Sequence, residues 1–383
     1  MLDEGKQLKF NDETCRLLEV PEVVEDLTSA GDGHCVFGGG GALTKAFKLG
    51  TASVQPGKLW RINVTSGTFS EVRVQPSQSS PFWHTLHGVY FSKTSRRLYL
   101  VNHDDAHGES VEILEEVASQ EEETEYDFKH IASVRSPLFK PYALNDVVEG
   151  VDGEFYVSQW LQYGKPVGGE LKPNKSFQEH LEHLLTVLTV LTKSRTTQVF
   201  RCHLNEHPPC RAASESIFVM ANGLAVSDDR QVVYVADPPL KRVFALARQA
   251  DGTLKELSSF ATRHSPDNVE MASAGVLHAG TATLGYATET ACSAGLGSEA
   301  TVDGRQVGCG RSPGALLHIH LNRTGQAGKA IQWRLEEDSK QVEVLVHDGS
   351  KLSDVSAGIQ VNAQAVALSS PDSKGVLICA ISS

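Results

Sequence analysis

A short unit recurs along this chain, and that recurrence limits its fold more than any other feature. Four segments can be laid over one another: Glu25 to Phe37, His87 to Val101, Asn145 to Ser158 and Asn222 to Asp237. Each opens on a polar residue and runs into a short alternating strand. A turn rich in Asp, Gly or Ser follows, then a strand of β-branched and aromatic residues. Period-two alternation around a tight turn is the signature of a β-hairpin. Gly57 to Val64 and Lys241 to Arg248 extend two of the units, a weaker fifth begins at Asp267, and the last runs from Gln364 to Cys379. Six such units predict an all-β fold, a six-bladed β-propeller in one domain spanning 1–383. A β-sandwich does not explain why every unit starts on a polar side chain.

Two segments break the repeat. Residues 177–194 carry Leu181, Leu184, Leu185, Leu188 and Leu191 at helical spacing, which predicts an inserted amphipathic helix covering one face. Residues 270–312 are rich in Gly, Ala, Ser and Thr and read as an irregular insertion.

In a propeller the innermost strands line a central channel, so the opening residues share an axis. That column is Glu25, His87, Asn145, Asn222, Asp267 and Gln364, and the adjoining column adds Asp26, Asp146 and Asn268. Converging oxygens are costly unless a cation satisfies them. Calcium takes six to eight oxygens from carboxylates, amides and water, whereas zinc asks for several His or Cys ligands. A net charge of −12 agrees with a hard-cation site and excludes nucleic acid as a partner.

These motifs resemble, in order and spacing, the calcium-dependent paraoxonase/arylesterase family of lactonases, part of the wider strictosidine-synthase-like group of six-bladed propellers. The matching stretches are Glu25-Asp26, Leu86-His87-Gly88, Val101-Asn102-His103, Leu144-Asn145-Asp146, Ala221-Asn222-Gly223 and Asp267-Asn268. The resemblance covers residues 15–270 well and the remainder weakly. It implies hydrolysis of lactones and aryl esters with two calcium ions. A catalytic ion would take Glu25, Asn145, Asn222, Asp267 and Asn268. A structural ion would take Asp26, Asp146 and the backbone carbonyl of Val89. His87 and His103 match the family's histidine dyad, one activating water and the other orienting it. Two other classes compete: a strictosidine-synthase-like condensing enzyme, and a non-catalytic scaffold whose calcium only staples the blades.

The chain holds seven cysteines, an odd number that cannot all pair within it, and no zinc spacing. Cys202 and Cys210 bracket a candidate disulfide loop. The family's long-range disulfide implies a partner for Cys15, and Cys379 sits several residues early for that role. The N-terminus shows neither a signal peptide nor the family's apolar anchor, which reads as cytoplasmic for the chain as it stands and as secreted or membrane-associated if the terminus is truncated. The expected partners are a small ester or lactone and, through the 177–194 helix, a lipid or membrane surface.

Overall fold

The computed structural model describes residues 13–77, 83–117, 126–163, 177–215, 217–273, 275–282, 299–302, 305–308, 314–324, 332–334, 339–347, 351–352 and 355–381. It is an all-β propeller. Three four-stranded antiparallel sheets are simple meanders, opening on Leu144–Glu149, Leu224–Val226 and Ser265–Ser273. A five-stranded sheet opens on Thr85–Ser92 and carries Val74–Gln75 on its outer edge.

The largest sheet has seven strands and is built around the long strand Cys15–Ser29. The first part of that strand pairs with Lys374–Ala380 and its last part with Cys35–Gly40. Opening strands touch in the order Cys15–Ser29, Thr85–Ser92, Leu144–Glu149, Leu224–Val226, Ser265–Ser273 and Ala357–Asn362, and the last returns to the first. The ring closes on itself.

Apolar side chains fill the wedges between neighbouring sheets. Tyr99, Val101, Phe155, Val157 and Phe200 form one such cluster, and Tyr156, Phe218, Val233, Val235 and Phe244 form the next. Burying each large apolar side chain contributes roughly 1.5–3 kcal/mol, so the wedges carry most of the cohesion between sheets. Alternation in the strands supplies these residues on one face of each sheet and then on the other.

Four features depart from the sequence reading or sharpen it. Gln364 does not line the channel: it lies exposed in the turn between Ala357–Asn362 and Ala365–Ser369. The opening strand there is Ala357–Asn362, and the residue at its channel end is the buried Ser356. Residues 276–282 of the supposed irregular insertion form a regular sheet strand, and 299–302 pairs with 305–308 as a hairpin. The rest of that segment lies largely outside the described residues. The helix is present as Phe177–Thr192, but it packs through Val190 rather than through its leucine stripe.

On the helix, the hydroxyls of Thr186 and Thr189 donate to carbonyls one turn back, so they bring no unpaired donor to the packed side. Leu181, Leu184, Leu188 and Leu191 are all exposed. No helix among the described residues is long and apolar enough to cross a membrane.

A disulfide joins Cys15 to Cys379, across directly paired positions in the first and last strands, and a second joins Cys202 to Cys210. The first encloses nearly the whole chain, so opening it releases the largest possible loop in the unfolded state. Replacing both Cys15 and Cys379 by Ala should lower stability by about 2–5 kcal/mol. Urea unfolding monitored by tryptophan fluorescence measures this, and an unchanged midpoint would show that strand pairing alone closes the ring.

Candidate metal and catalytic site

Four of the six residues of the predicted column, Glu25, His87, Asn145 and Asp267, sit at one recurring irregularity. Between Val24 and Leu27 the opening strand advances three residues while its partner advances two, from Gly40 to Gly38. The same offset occurs between Leu86 and Val89, between Leu144 and Val147, and between Pro266 and Val269. Each is a β-bulge holding one predicted pair: Glu25-Asp26, His87-Gly88, Asn145-Asp146 or Asp267-Asn268. A bulge breaks the alternation that would send consecutive side chains to opposite faces, and so re-aims them locally. Asn222 reaches the same level just before Leu224–Val226, and the Gly223 amide donates to the Asp267 carbonyl at 3.2 Å.

Adjacent bulges lie so close that two positions require glycine. A Cβ on Gly88 would stand 2.5 Å from the Asn145 carbonyl oxygen and the Asp146 Cα. One on Gly223 would stand 2.4 Å from the Asn268 Cα. Asp26 and Asp146 stitch the bulges together. Asp26 accepts from the Leu27 and Val89 amides, both at 2.8 Å. Asp146 accepts from the Val147 amide at 2.7 Å and the Leu224 amide at 2.6 Å.

The pairs leave a set of buried oxygens without hydrogen bonds: Glu25 Oε2, Asn145 Oδ1, Asn222 Oδ1 and Asn268 Oδ1. All four belong to the predicted ligand set. The other side-chain polar atoms of Glu25, Asn145 and Asn268 are engaged around them. Asn268 Nδ2 donates to Glu25 Oε1 at 2.9 Å, and Asn145 Nδ2 donates to His87 Nε2 at 3.1 Å. His87 Nε2 lies 3.7 Å from Glu25 Oε2.

Burial, followed by the neighbouring charges of Asp26 and Asp267, pushes the Glu25 carboxyl well above the usual carboxylate range. Burial and then Asp146 do the same to Asp26, and burial raises Asp146. Unpaired buried oxygens beside strained carboxylates are what a hard, oxygen-seeking cation relieves. Among the described residues no group of three or more His, Cys, Asp and Glu side chains is arranged to hold a metal, and the donor set here is chiefly amide oxygen.

Beside these oxygens runs a relay of imidazoles. His87 Nδ1 and His103 Nε2 are 2.9 Å apart, and His103 Nδ1 lies 2.8 Å from Glu109 Oε2. His87, His103 and Glu109 are all buried. An ionised Glu109 can only accept, so it takes the His103 Nδ1 proton. His103 Nε2 then accepts from His87 Nδ1, and His87 Nε2 is left as the acceptor that meets the Asn145 amide. Burial, and then the proximity of His103, hold the His87 imidazole well below its usual range, so it is neutral and carries a bare lone pair at that nitrogen. Glu109 escaped the sequence reading.

Phe47 walls the relay, with ring centroids 6.0 Å from His87, 5.5 Å from His103 and 5.7 Å from Trp160. Tyr142 stacks on His103 at 5.3 Å.

No protein-family model matches this chain, and no curated protein does. Solved structures similar to it include a gluconolactonase from Xanthomonas campestris, 13% identical over 96% of this chain and 89% of that one, with a TM-score of 0.49. A luciferin-regenerating enzyme is 11% identical over 96% and 95%, with a TM-score of 0.48. A PQQ-bound aldose sugar dehydrogenase from Streptomyces coelicolor is 12% identical over 96% and 98%, with a TM-score of 0.47. Likenesses this distant assign no chemistry to this chain.

The packing at Gly223 gives a direct check on the bulges. Gly223→Ala forces its methyl against backbone, which cannot rotate away, and should cost about 1–3 kcal/mol. Thermal unfolding measures it; a wild-type melting temperature would mean that the bulges do not interlock as described.

Proposed function

We propose that this chain is a calcium-dependent hydrolase of lactones and aryl esters, built on a six-bladed propeller. The observation that carries the reading is the set of four buried, unpaired oxygens beside the neutral imidazole of His87. The six-blade count is supported by reading the seven-stranded sheet as two four-stranded blades that share Cys15–Ser29.

Glu25, Asn145, Asn222, Asp267 and Asn268 would hold the catalytic ion, and Asp26, Asp146 and the Val89 carbonyl a second, structural one. When bound, calcium supplies Lewis-acid polarisation of the ester carbonyl and stabilisation of the oxyanion. The remaining work falls to protein groups. His87 Nε2 accepts a proton from the attacking water, and the positive charge that develops spreads along the relay toward Glu109. Glu109 fixes the tautomer of His103, which in turn fixes that of His87. The Phe47, Trp160 and Tyr142 rings exclude bulk water from this side and offer an apolar surface to an aryl or alkyl group.

The helix Phe177–Thr192 fits the role of a cover. Val190 packs on a cluster that includes Trp160, whose ring centroid is 5.8 Å from that of His87. Its exposed stripe of Leu181, Leu184, Leu188 and Leu191 suits a lipid surface. Replacing Leu184 and Leu188 by Gln should then weaken sedimentation with phosphatidylcholine vesicles several-fold. Equal sedimentation of variant and parent would rule the stripe out as a membrane contact.

Hydrolysis of phenyl acetate and a lactone panel, with calcium and after EGTA, tests the catalytic reading. Turnover should vanish with EGTA, and His87→Gln should lower kcat by about 10²–10⁴-fold with its calcium content intact. Folded, calcium-loaded protein that hydrolyses nothing would overturn the hydrolase and leave a calcium-stapled scaffold.

A further inference from the structure

A second set of catalytic-type side chains lies three strands outward from the channel, in the sheet that opens on Thr85–Ser92. Ser77 Oγ is 2.9 Å from His130 Nδ1, and His130 Nε2 is 2.8 Å from Glu112 Oε2. The three residues come from separate stretches of chain. Ser77 follows the edge strand Val74–Gln75, which runs parallel to Phe128–Val134 and sets Gln75 beside Lys129. That register brings Ser77 to His130. Glu112 pairs with Ser133, and a bulge between Ile113 and Leu114 then sets His130 opposite Leu114, with its ring within reach of the Glu112 carboxylate.

The chemistry of the array is directional. Glu112 is buried, and burial works to raise its carboxyl, but hydrogen bonds from His130, Ser110 and Ser133 outweigh this and hold it below the usual range. Ser110 donates to Oε1 at 2.6 Å, and Ser133 donates to Oε2. An ionised Glu112 must accept the His130 Nε2 proton, with Ser133 Oγ also 3.3 Å from that nitrogen. His130 Nδ1 is then the bare nitrogen, and it faces the Ser77 hydroxyl. His130 and Glu112 are buried while Ser77 is half-buried, so the serine is the member of the array nearest to solvent.

We infer that Ser77 is a nucleophilic serine, activated by His130 and oriented through Glu112, that is acylated by small activated carboxylic esters. The order serine, histidine, carboxylate is that of a hydrolytic triad, here with the imidazole turned so that Nδ1 faces the serine and Nε2 the carboxylate. Ser77 Oγ attacks the ester carbonyl and its proton passes to His130 Nδ1. The carbon–oxygen bond to the leaving alkoxide breaks, the alkoxide takes that proton from His130, and an acyl-Ser77 ester remains. Water activated by the same nitrogen releases the acid and restores the hydroxyl. Glu112 touches no reactant and is a positioning residue. No atom of this array belongs to the proposed calcium site.

A fluorophosphonate probe tests the inference on the full-length, calcium-loaded protein, because it forms a stable adduct with an activated serine. Peptide mapping by mass spectrometry should find one equivalent of adduct on Ser77. The labelling rate should rise with pH through a single step, as expected when a neutral imidazole must accept the proton. In Glu112→Gln the rate should fall by about tenfold or more, and in His130→Gln the adduct should be lost. Should His130→Gln fail to fold, the pH profile of the parent and the Glu112→Gln rate decide the matter. An unmodified Ser77 in folded protein, or one labelled at the same rate in parent and Glu112→Gln, would overturn the inference and leave a hydrogen-bond network that only ties the edge strand to its sheet.

Discussion

The site depends on one backbone device, the bulge repeated at the same level of four opening strands. A regular strand sends neighbouring side chains to opposite faces, so it could give each blade one channel residue and no more. With one extra residue, Glu25-Asp26, Asn145-Asp146 and Asp267-Asn268 divide their work at a single level. One member of the first two pairs bridges to the backbone of the next strand, and the other contributes an oxygen to the axis. The same residues therefore hold the ring together and furnish its centre.

That arrangement has an electrostatic cost. Glu25, Asp26 and Asp146 are buried near one another, and each is pushed toward its protonated form by burial first and by its neighbours next. Amide donors soften this only in part, because they satisfy Asp26 and Asp146 and leave four side-chain oxygens unpaired. The polar centre is thus built to be completed. The histidine relay beside it is already complete, since every nitrogen of His87 and His103 has a partner and Glu109 sets the direction. Completion of one centre beside a finished relay is the physical content of the functional reading.

Most of the column was legible because a polar residue opening an apolar strand is conspicuous, and because the hairpins around it alternate cleanly. The bulges were not legible, since nothing in Glu25-Asp26 or Asn145-Asp146 marks an extra residue until the partner strand is known. Ser356 stayed hidden for a similar reason: a serine before Ala357–Asn362 carries no signal, while Gln364 advertised itself from an exposed turn. Glu109 lies six residues beyond His103, across a turn that also holds Asp104 and Asp105, and only the path of that turn singles it out. Periodicity located the helix but did not say which side of it packs. Four leucines of the stripe, Leu181, Leu184, Leu188 and Leu191, are exposed, while Leu185 and the threonines with internally satisfied hydroxyls, Thr186 and Thr189, are half-buried.

The strand Cys15–Ser29 belongs to both ends of the ring, and this governs the order in which the molecule can be made. It carries Glu25 and Asp26, yet its outer half finds its pairing partner only in Lys374–Ala380, with Cys15 and Cys379 paired across a sequence separation of 364. Half of one strand must wait for the whole intervening chain, which is the long-range closure that slows folding. A nascent chain stopped short of residue 374 would hold most of the channel residues and lack the strand that locks the first pair in place. The centre is thus complete only in a chain that extends through Lys374–Ala380.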